Sequence, residues 1–450
     1  LRLLRFIVGR KVRGESPEAY LVRCHNRQDH LNEYGATSTA LSILSGVQDE
    51  ALYTEALELA LILIMDNKTA RDNLMRTYFA NPDESLWYDL RSLIQKGMAT
   101  LKADKNVNRA QQGRQYEQPH YPGVTEQTRS FRGMKSGVSM GMSGMGMAFR
   151  PDEEMRKDEH VYVGPQPPYM LLVFKFLQQL CVDHDIVVQR YLSEQYDNFR
   201  KVDIVRECVH YLKALDNAVC SNTAEILLQL IICMQDMAVG CVENQLAMVS
   251  HGVCDSLNVL LYDNVLPEDL PKQLEIQVKV TELLLTLLEG NIDTFVALKM
   301  IKALDFPLLL LHSQYLQPDY RMQAEEGIIE GMGEYIHLRR LDIARNTFRL
   351  MKMLGETDPS RIPEKQKEEF DEVLSKVNMY SRVSMGRIEI IAANRAIERM
   401  YFPIPQECRP SKIDTVMLQD DLEAKFIYQK VNWKSATKKI EEFCRWCEDW

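Results

Sequence analysis

His184 is the residue whose type and setting come closest to chemistry in this chain. It stands between Asp183 and Asp185, and an imidazole beside carboxylates can hold a metal or move a proton. The same stretch carries an apolar stripe. Val173, Phe176/Leu177, Leu180, His184, Val187/Val188 and Tyr191 recur three or four apart, the period of an amphipathic helix. On such a helix the two aspartates point about 100° to either side of His184, so the three do not converge. A packed histidine is the reading adopted. Cys444-x-x-Cys447 has the spacing of a zinc or redox pair. No second Cys or His pair follows it and no strand–helix setting surrounds it, so these are read as cysteines on one helix face. Gly141-Met-Ser-Gly-Met-Gly146 is glycine-rich, but it does not lie between a strand and a helix and cannot act as a dinucleotide loop. No phosphate-binding loop, nucleophile elbow or His-Glu-x-x-His motif occurs. The residues predict no catalytic group, no cofactor and no metal.

Composition points the same way. The chain has 450 residues and a net charge of −10, which disfavours nucleic acid or an anionic membrane as the main partner. Its ten cysteines are scattered singly, mostly in apolar helical stretches, as expected of reduced thiols in a cytosolic chain rather than a disulfide framework. The longest apolar runs, Ala56–Met65 and Ile226–Met234, are far shorter than the roughly 18 residues of a membrane span. The sequence opens on Leu1 without a signal peptide and stops at Trp450 within a helical pattern. A soluble piece of a larger protein is expected.

The elements that would position any site are helices. Ala36–Leu44, Glu50–Met65, Ala70–Tyr78 and Leu86–Leu101 each show three-four apolar spacing. Residues 1–104 are therefore read as a helical solenoid segment. Residues 105–165 are rich in Gly, Met, Gln, Ser and Pro and nearly lack large aliphatics. Such a stretch buries too little surface to offset its ordering entropy, and is read as a disordered linker. Helices resume at Pro167-Pro168, where a proline's missing N–H costs little. Apolar stripes follow at Val202–Val219, Thr223–Ala238, Leu246–Tyr262, Leu274–Glu289, Asp293–Leu304 and Pro307–Tyr315. Residues 166–355 are thus expected to form stacked, armadillo-like helices. Glycines 327, 331 and 333 weigh against one continuous helix over Met322–Leu354. Residues 356–385 contain Glu364–Val377, a charged run read as an exposed connecting helix. In 386–450, Arg387–Ala392 and Arg399–Pro405 read as a short strand pair, and Trp433–Trp450 as an aromatic helix. The fold class is mainly α, an α-solenoid with a small β segment near the C-terminus.

Phe176-Leu-Gln-x-Leu-Cys-x-x-His184 and Cys241-x-Glu-Asn-Gln245 resemble two motifs of the segment that precedes the pore in intracellular calcium-release channels, the inositol trisphosphate and ryanodine receptors. The second leans toward the inositol trisphosphate branch. Tyr34-Gly-Ala-Thr37, Glu55–Asn67, Arg387-Ile-Glu-Ile-Ile391, Phe402-Pro-Ile-Pro405 and Lys439–Asp449 are similar to further stretches in the same order.

The resemblance implies a cytosolic coupling region of a homotetrameric channel at the cytosolic face of the endoplasmic reticulum membrane. A ligand-binding region would lie upstream of Leu1 and the pore domain beyond Trp450. Residues 386–450 would then be a juxtamembrane coupling segment, with Phe402, Pro403, Pro405 and Trp446 as its expected relay. The residues alone leave open a stand-alone α-solenoid scaffold that binds protein partners. The family's regulatory calcium site would map to Val182, His184, Gln235 and Ala238. Only the histidine is kept, and calcium needs several hard oxygens. These positions are expected not to bind it.

Overall fold

The computed structural model describes residues 1–404 except 10–15, 44–48, 81–84, 117–163, 165, 197, 199–200, 264, 291–294, 318–332, 358, 363, 383 and 392–396. Before residue 117 the helices are α1 (Arg2–Gly9), α2 (Pro17–Glu33), α3 (Ala36–Ser42), α4 (Glu50–Ile64), α5 (Lys68–Ala80) and α6 (Ser85–Tyr116). After residue 163 come α7 (Pro168–Cys181), α8 (Ile186–Ser193), α9 (Ile204–Leu215), α10 (Ala224–Ala238), α11 (Val242–Ser250) and α12 (Val253–Leu260). Then follow α13 (Leu270–Leu288), α14 (Phe295–Ala303), α15 (Phe306–Ser313), α16 (Gly333–Gly355) and α17 (Glu364–Ser381). An antiparallel pair, β1 (Met385–Ile391) and β2 (Ile397–Pro403), closes the described chain. The protein is mainly helical, as its striped sequence requires.

Local chemistry sets the helix starts. Asp49, Asp185, Asp203, Asp269 and Asp305 cap α4, α8, α9, α13 and α15, each carboxylate accepting from a first-turn amide. Such caps satisfy amides that have no partner within the helix. Pro168 begins α7 as expected. Central helices bury more than one stripe: Leu57, Leu59, Ala60, Leu63 and Ile64 of α4 are all within the core. Each large aliphatic buried this way contributes about 1.5–3 kcal/mol of transfer free energy.

Among the described helices α4 packs on α7, α7 on α10, α10 on α13 and α13 on α16, and these five form one central column. One continuous apolar core runs from Val8 to Val377. It spans the helices on both sides of residues 105–165, which the sequence divides into separate segments.

Four expectations need correction. α6 continues through Tyr116, past the boundary drawn at 104. Its last turns include Lys105, Arg109, Ala110, Gln111, Gln112, Arg114 and Gln115, residues of good helix propensity, with few large apolar side chains among them; the rest of the expected linker lies outside the described residues. The Leu246–Tyr262 stripe is two helices, because Gly252 takes φ +76° between α11 and α12, a left-handed turn that glycine adopts without strain. The charged run in α17 is not merely an exposed face. Phe370, Val373 and Val377 recur at three-four spacing and are buried, and the Phe370 ring sits 5.2 Å from that of Phe306 on α15. The fourth concerns His184, described below. Among the described residues Cys181, Cys208, Cys233, Cys241 and Cys254 are free and buried. Burial pushes the Cys254 thiol up to about 12, which makes it inert.

Candidate functional site

The turn between α7 and α8 carries His184, and it interrupts the helix expected there. His184 takes φ +53° and its amide donates to the Cys181 carbonyl at 2.8 Å. The sequence reason is the local pair of aspartates. Asp185 leaves the helix to cap α8, its Oδ1 accepting from the Val187 amide at 2.8 Å. Short acidic side chains favour such caps over helix interiors. His184 is therefore a partly exposed turn residue, not a packed one. The packed histidine is His312, whose Nε2 lies 2.8 Å from the Leu261 carbonyl oxygen. Burial lowers its pKa, so the neutral ring donates that hydrogen bond.

His184 Nε2 faces Asp236 Oδ1 across 3.6 Å. The other oxygen of Asp236 accepts from Gln178 Nε2 at 2.9 Å, and Gln178 Oε1 accepts from Gln229 Nε2 at 2.7 Å. Burial raises the Asp236 pKa, while the Gln178 hydrogen bond and His184 oppose that rise. Of the positions mapped to a calcium site, Val182 is 37% exposed and Ala238 is fully buried. Gln235 is half-buried on α10. Asp236, not the mapped Gln235, supplies the carboxylate beside His184. One carboxylate and one imidazole fall well short of calcium's six to eight oxygens. Among the described residues no group of three or more His, Cys, Asp or Glu is placed to hold a metal ion.

The same turn is anchored from the other side. Asp183 Oδ2 accepts from Arg71 Nε at 3.1 Å and Nη2 at 2.7 Å, and Arg71 Nη1 donates to the Ile64 carbonyl at 3.0 Å. Arg71 on α5 is buried. This link joins helices far apart in sequence, and no local pattern predicts it.

Cys241-x-Glu-Asn-Gln245 has a structural meaning that its spacing alone does not convey. Asn244 is fully buried and donates from Nδ2 to the carbonyls of Gln189 and Met237, both at 2.9 Å. Gln245 Nε2 donates to the Ala238 carbonyl at 3.0 Å. Gln189 Nε2 donates to the carbonyls of Asp236 and Val239, each at 2.8 Å. The carbonyls of Asp236, Met237, Ala238 and Val239 lie at the end of α10, where helical partners run out, and that of Gln189 lies on α8, so these amides lock α8, α10 and α11 together. Glu243, on the exposed side, pairs with Arg190.

At the far end of the column the strand pair docks on α16. Tyr401 lies opposite Arg387, and Phe402 opposite Gly386. Side chains alternate along a strand, so the two aromatics serve different faces. The Phe402 ring covers Gly386, where a Cβ would come within 2.6 Å of it. Tyr401 reaches the helix: its ring meets Phe348 edge-on at 5.3 Å, with the Lys352 ammonium 5.9 Å from the Tyr401 ring. Tyr401 is thus the contact that the expected relay omitted. Pro403 pairs with Met385 at the strand end and is exposed. The Ile404 amide donates to the Ser384 carbonyl at 2.9 Å, just after α17. Pro405 and Trp446 lie outside the described residues.

A sequence-family model described as "RyR and IP3R Homology associated" matches residues 166–261, the span from α7 through α12 that holds the His184 turn and the buried amides. Over 448 aligned residues the chain is 25% identical to "Inositol 1,4,5-trisphosphate receptor-like protein A" of Dictyostelium discoideum. That alignment covers 94% of this chain and 13% of the relative, so the chain spans only a small part of that protein's length. The domain match over 166–261 and the similarity along nearly the whole chain both liken it to the inositol trisphosphate and ryanodine receptors.

Proposed function

We propose that this chain is the cytosolic coupling region of a tetrameric calcium-release channel of the endoplasmic reticulum, and that it relays ligand-induced motion toward a pore beyond Trp450. The observation that carries this reading is the unbroken column α4–α7–α10–α13–α16, with the strand pair seated on its last helix through Tyr401. Read as an armadillo-like solenoid, the column accumulates small rotations from one end to the other. α17 runs almost directly into β1, so the strand pair is held by the chain as well as by the Tyr401 contact. Among the described residues no helix is long and apolar enough to cross a membrane, which suits a relay outside the bilayer.

Replacing Tyr401 by Ala in the whole channel is the direct test. Ligand-evoked opening is expected to fall about tenfold, the size of a typical coupling free energy, with assembly and single-channel conductance unchanged. Phe402→Ala should have a similar but weaker effect, because it loosens the strand pair rather than its seat. Normal gating in Tyr401→Ala would remove the relay and favour an interaction scaffold.

In this reading the positions Val182, His184, Gln235 and Ala238 take no part in calcium sensing. Calcium binding at 100 times its dissociation constant would add about 2.7 kcal/mol of stability. No such melting shift is expected for this chain. A calcium-dependent rise that disappears in Asp236→Asn would overturn the assignment.

A further inference from the structure

Helices α6 and α9 line an open cleft of about 440 Å³ whose charge runs opposite to that of the chain. Its polar wall is Arg91, Gln95 and Lys102 from α6, with Arg206, Glu207 and His210 from α9. Glu207 is the one acid in the wall and is already engaged: its Oε1 accepts from Arg91 Nε at 3.0 Å and Gln95 Nε2 at 3.1 Å. That bond uses one edge of the Arg91 guanidinium and leaves its two terminal nitrogens available. Lys102 and Arg206 are exposed and form no ion pair among the described residues. The wall therefore holds an excess of two positive charges in a chain of net charge −10.

We propose that the α6/α9 cleft binds a small molecule bearing adjacent phosphate groups. Arginine's planar fork matches phosphate oxygens, and lysine adds a mobile point charge. The volume falls within the usual range for small-molecule sites. Extent argues against a single phosphate. Arg91 and Lys102 stand eleven residues apart on one helix, which is about 16 Å along its axis at 1.5 Å per residue. An extended polyanion can reach both cations while passing Arg206 and the His210 ring; a lone phosphate cannot. Glu207 then serves as the floor that fixes Arg91, and is not itself a ligand. This inference stands apart from the coupling role.

Inorganic tripolyphosphate is the probe, added to the 450-residue chain at 150 mM salt with calorimetry and thermal melting as readouts. Saturable one-to-one binding is expected, with inorganic phosphate at least about tenfold weaker. Arg206→Glu and Lys102→Glu should each weaken binding about tenfold or more. Both side chains are exposed, so circular dichroism should match the wild type; should one variant fail to fold, the other carries the test. Lys299→Glu on α14 changes the net charge equally and should leave binding unaltered. Absence of saturable binding, equal affinity for single phosphate, or equal weakening in Lys299→Glu would each overturn the proposal.

Discussion

Asn244→Asp is expected to lower the unfolding free energy by about 3–5 kcal/mol, a large part of the roughly 5–15 kcal/mol of a typical domain. The substitution is nearly isosteric, so packing is not the cause. Asn244 Nδ2 donates to two carbonyls, those of Gln189 and Met237, in a fully buried position. Aspartate offers no donor while ionised. It would set a carboxylate oxygen against two carbonyl oxygens and strip the Met237 carbonyl, at the end of α10, of its donor; the unsatisfied carbonyl costs about 1–3 kcal/mol and the buried charge adds to that. Burial beside two carbonyl oxygens raises the folded-state pKa of the new carboxyl, so the loss should shrink as pH falls from that raised value to the usual carboxylate pKa; it does not vanish, because the protonated acid restores one donor at most. Urea unfolding followed by far-ultraviolet circular dichroism reads the change directly. A loss under about 1 kcal/mol would mean that the amide is dispensable and that α8, α10 and α11 are held by packing alone.

Asp183→Ala should cost about 3 kcal/mol. Arg71 is 6% exposed on its side chain and Asp183 28%, so removing the carboxylate strands a buried guanidinium, which costs about 3–5 kcal/mol for fully buried pairs. The partial exposure of Asp183 places the expectation at the low end of that range. The Ile64 carbonyl still accepts from Arg71 Nη1, and Lys68 then loses its 3.8 Å approach to the same carboxylate. Adding Arg71→Met to Asp183→Ala should recover much of the loss, since an apolar side chain of similar length needs no partner. The double-mutant cycle separates the pair from its surroundings. If Arg71→Met gives no recovery, the destabilisation comes from the turn itself rather than from the stranded charge.

Much of the helical architecture was legible because it is a local property. Three-four spacing in α4, α7, α10 and α13 marks a helix wherever it occurs, and Pro168 sets the start of α7 from its ring geometry alone. The strand pair was legible for the same reason, from β-branched and aromatic residues in Arg387–Ala392 and Arg399–Pro405. Periodicity misled where a side chain had a stronger offer elsewhere. His184 fits the stripe, yet Asp183 is drawn to Arg71 and Asp185 to the start of α8, so the helix stops between them. The chain on either side of 105–165 looked like two units because composition is blind to what packs across an insertion.

The sequence by itself determined the mainly helical class, the resemblance to the inositol trisphosphate and ryanodine receptors, and the absence of recognisable catalytic motifs. Each rests on residue types and short-range order, which survive any arrangement of the helices. Only the tertiary structure decided that Asn244 is a keystone, that Asp236 rather than position 235 faces His184, that Tyr401 meets α16, and that Arg91, Lys102 and Arg206 share a cleft. These are contacts between elements tens to more than a hundred residues apart. A helix's own sequence states which face is apolar, but not which neighbour will cover it.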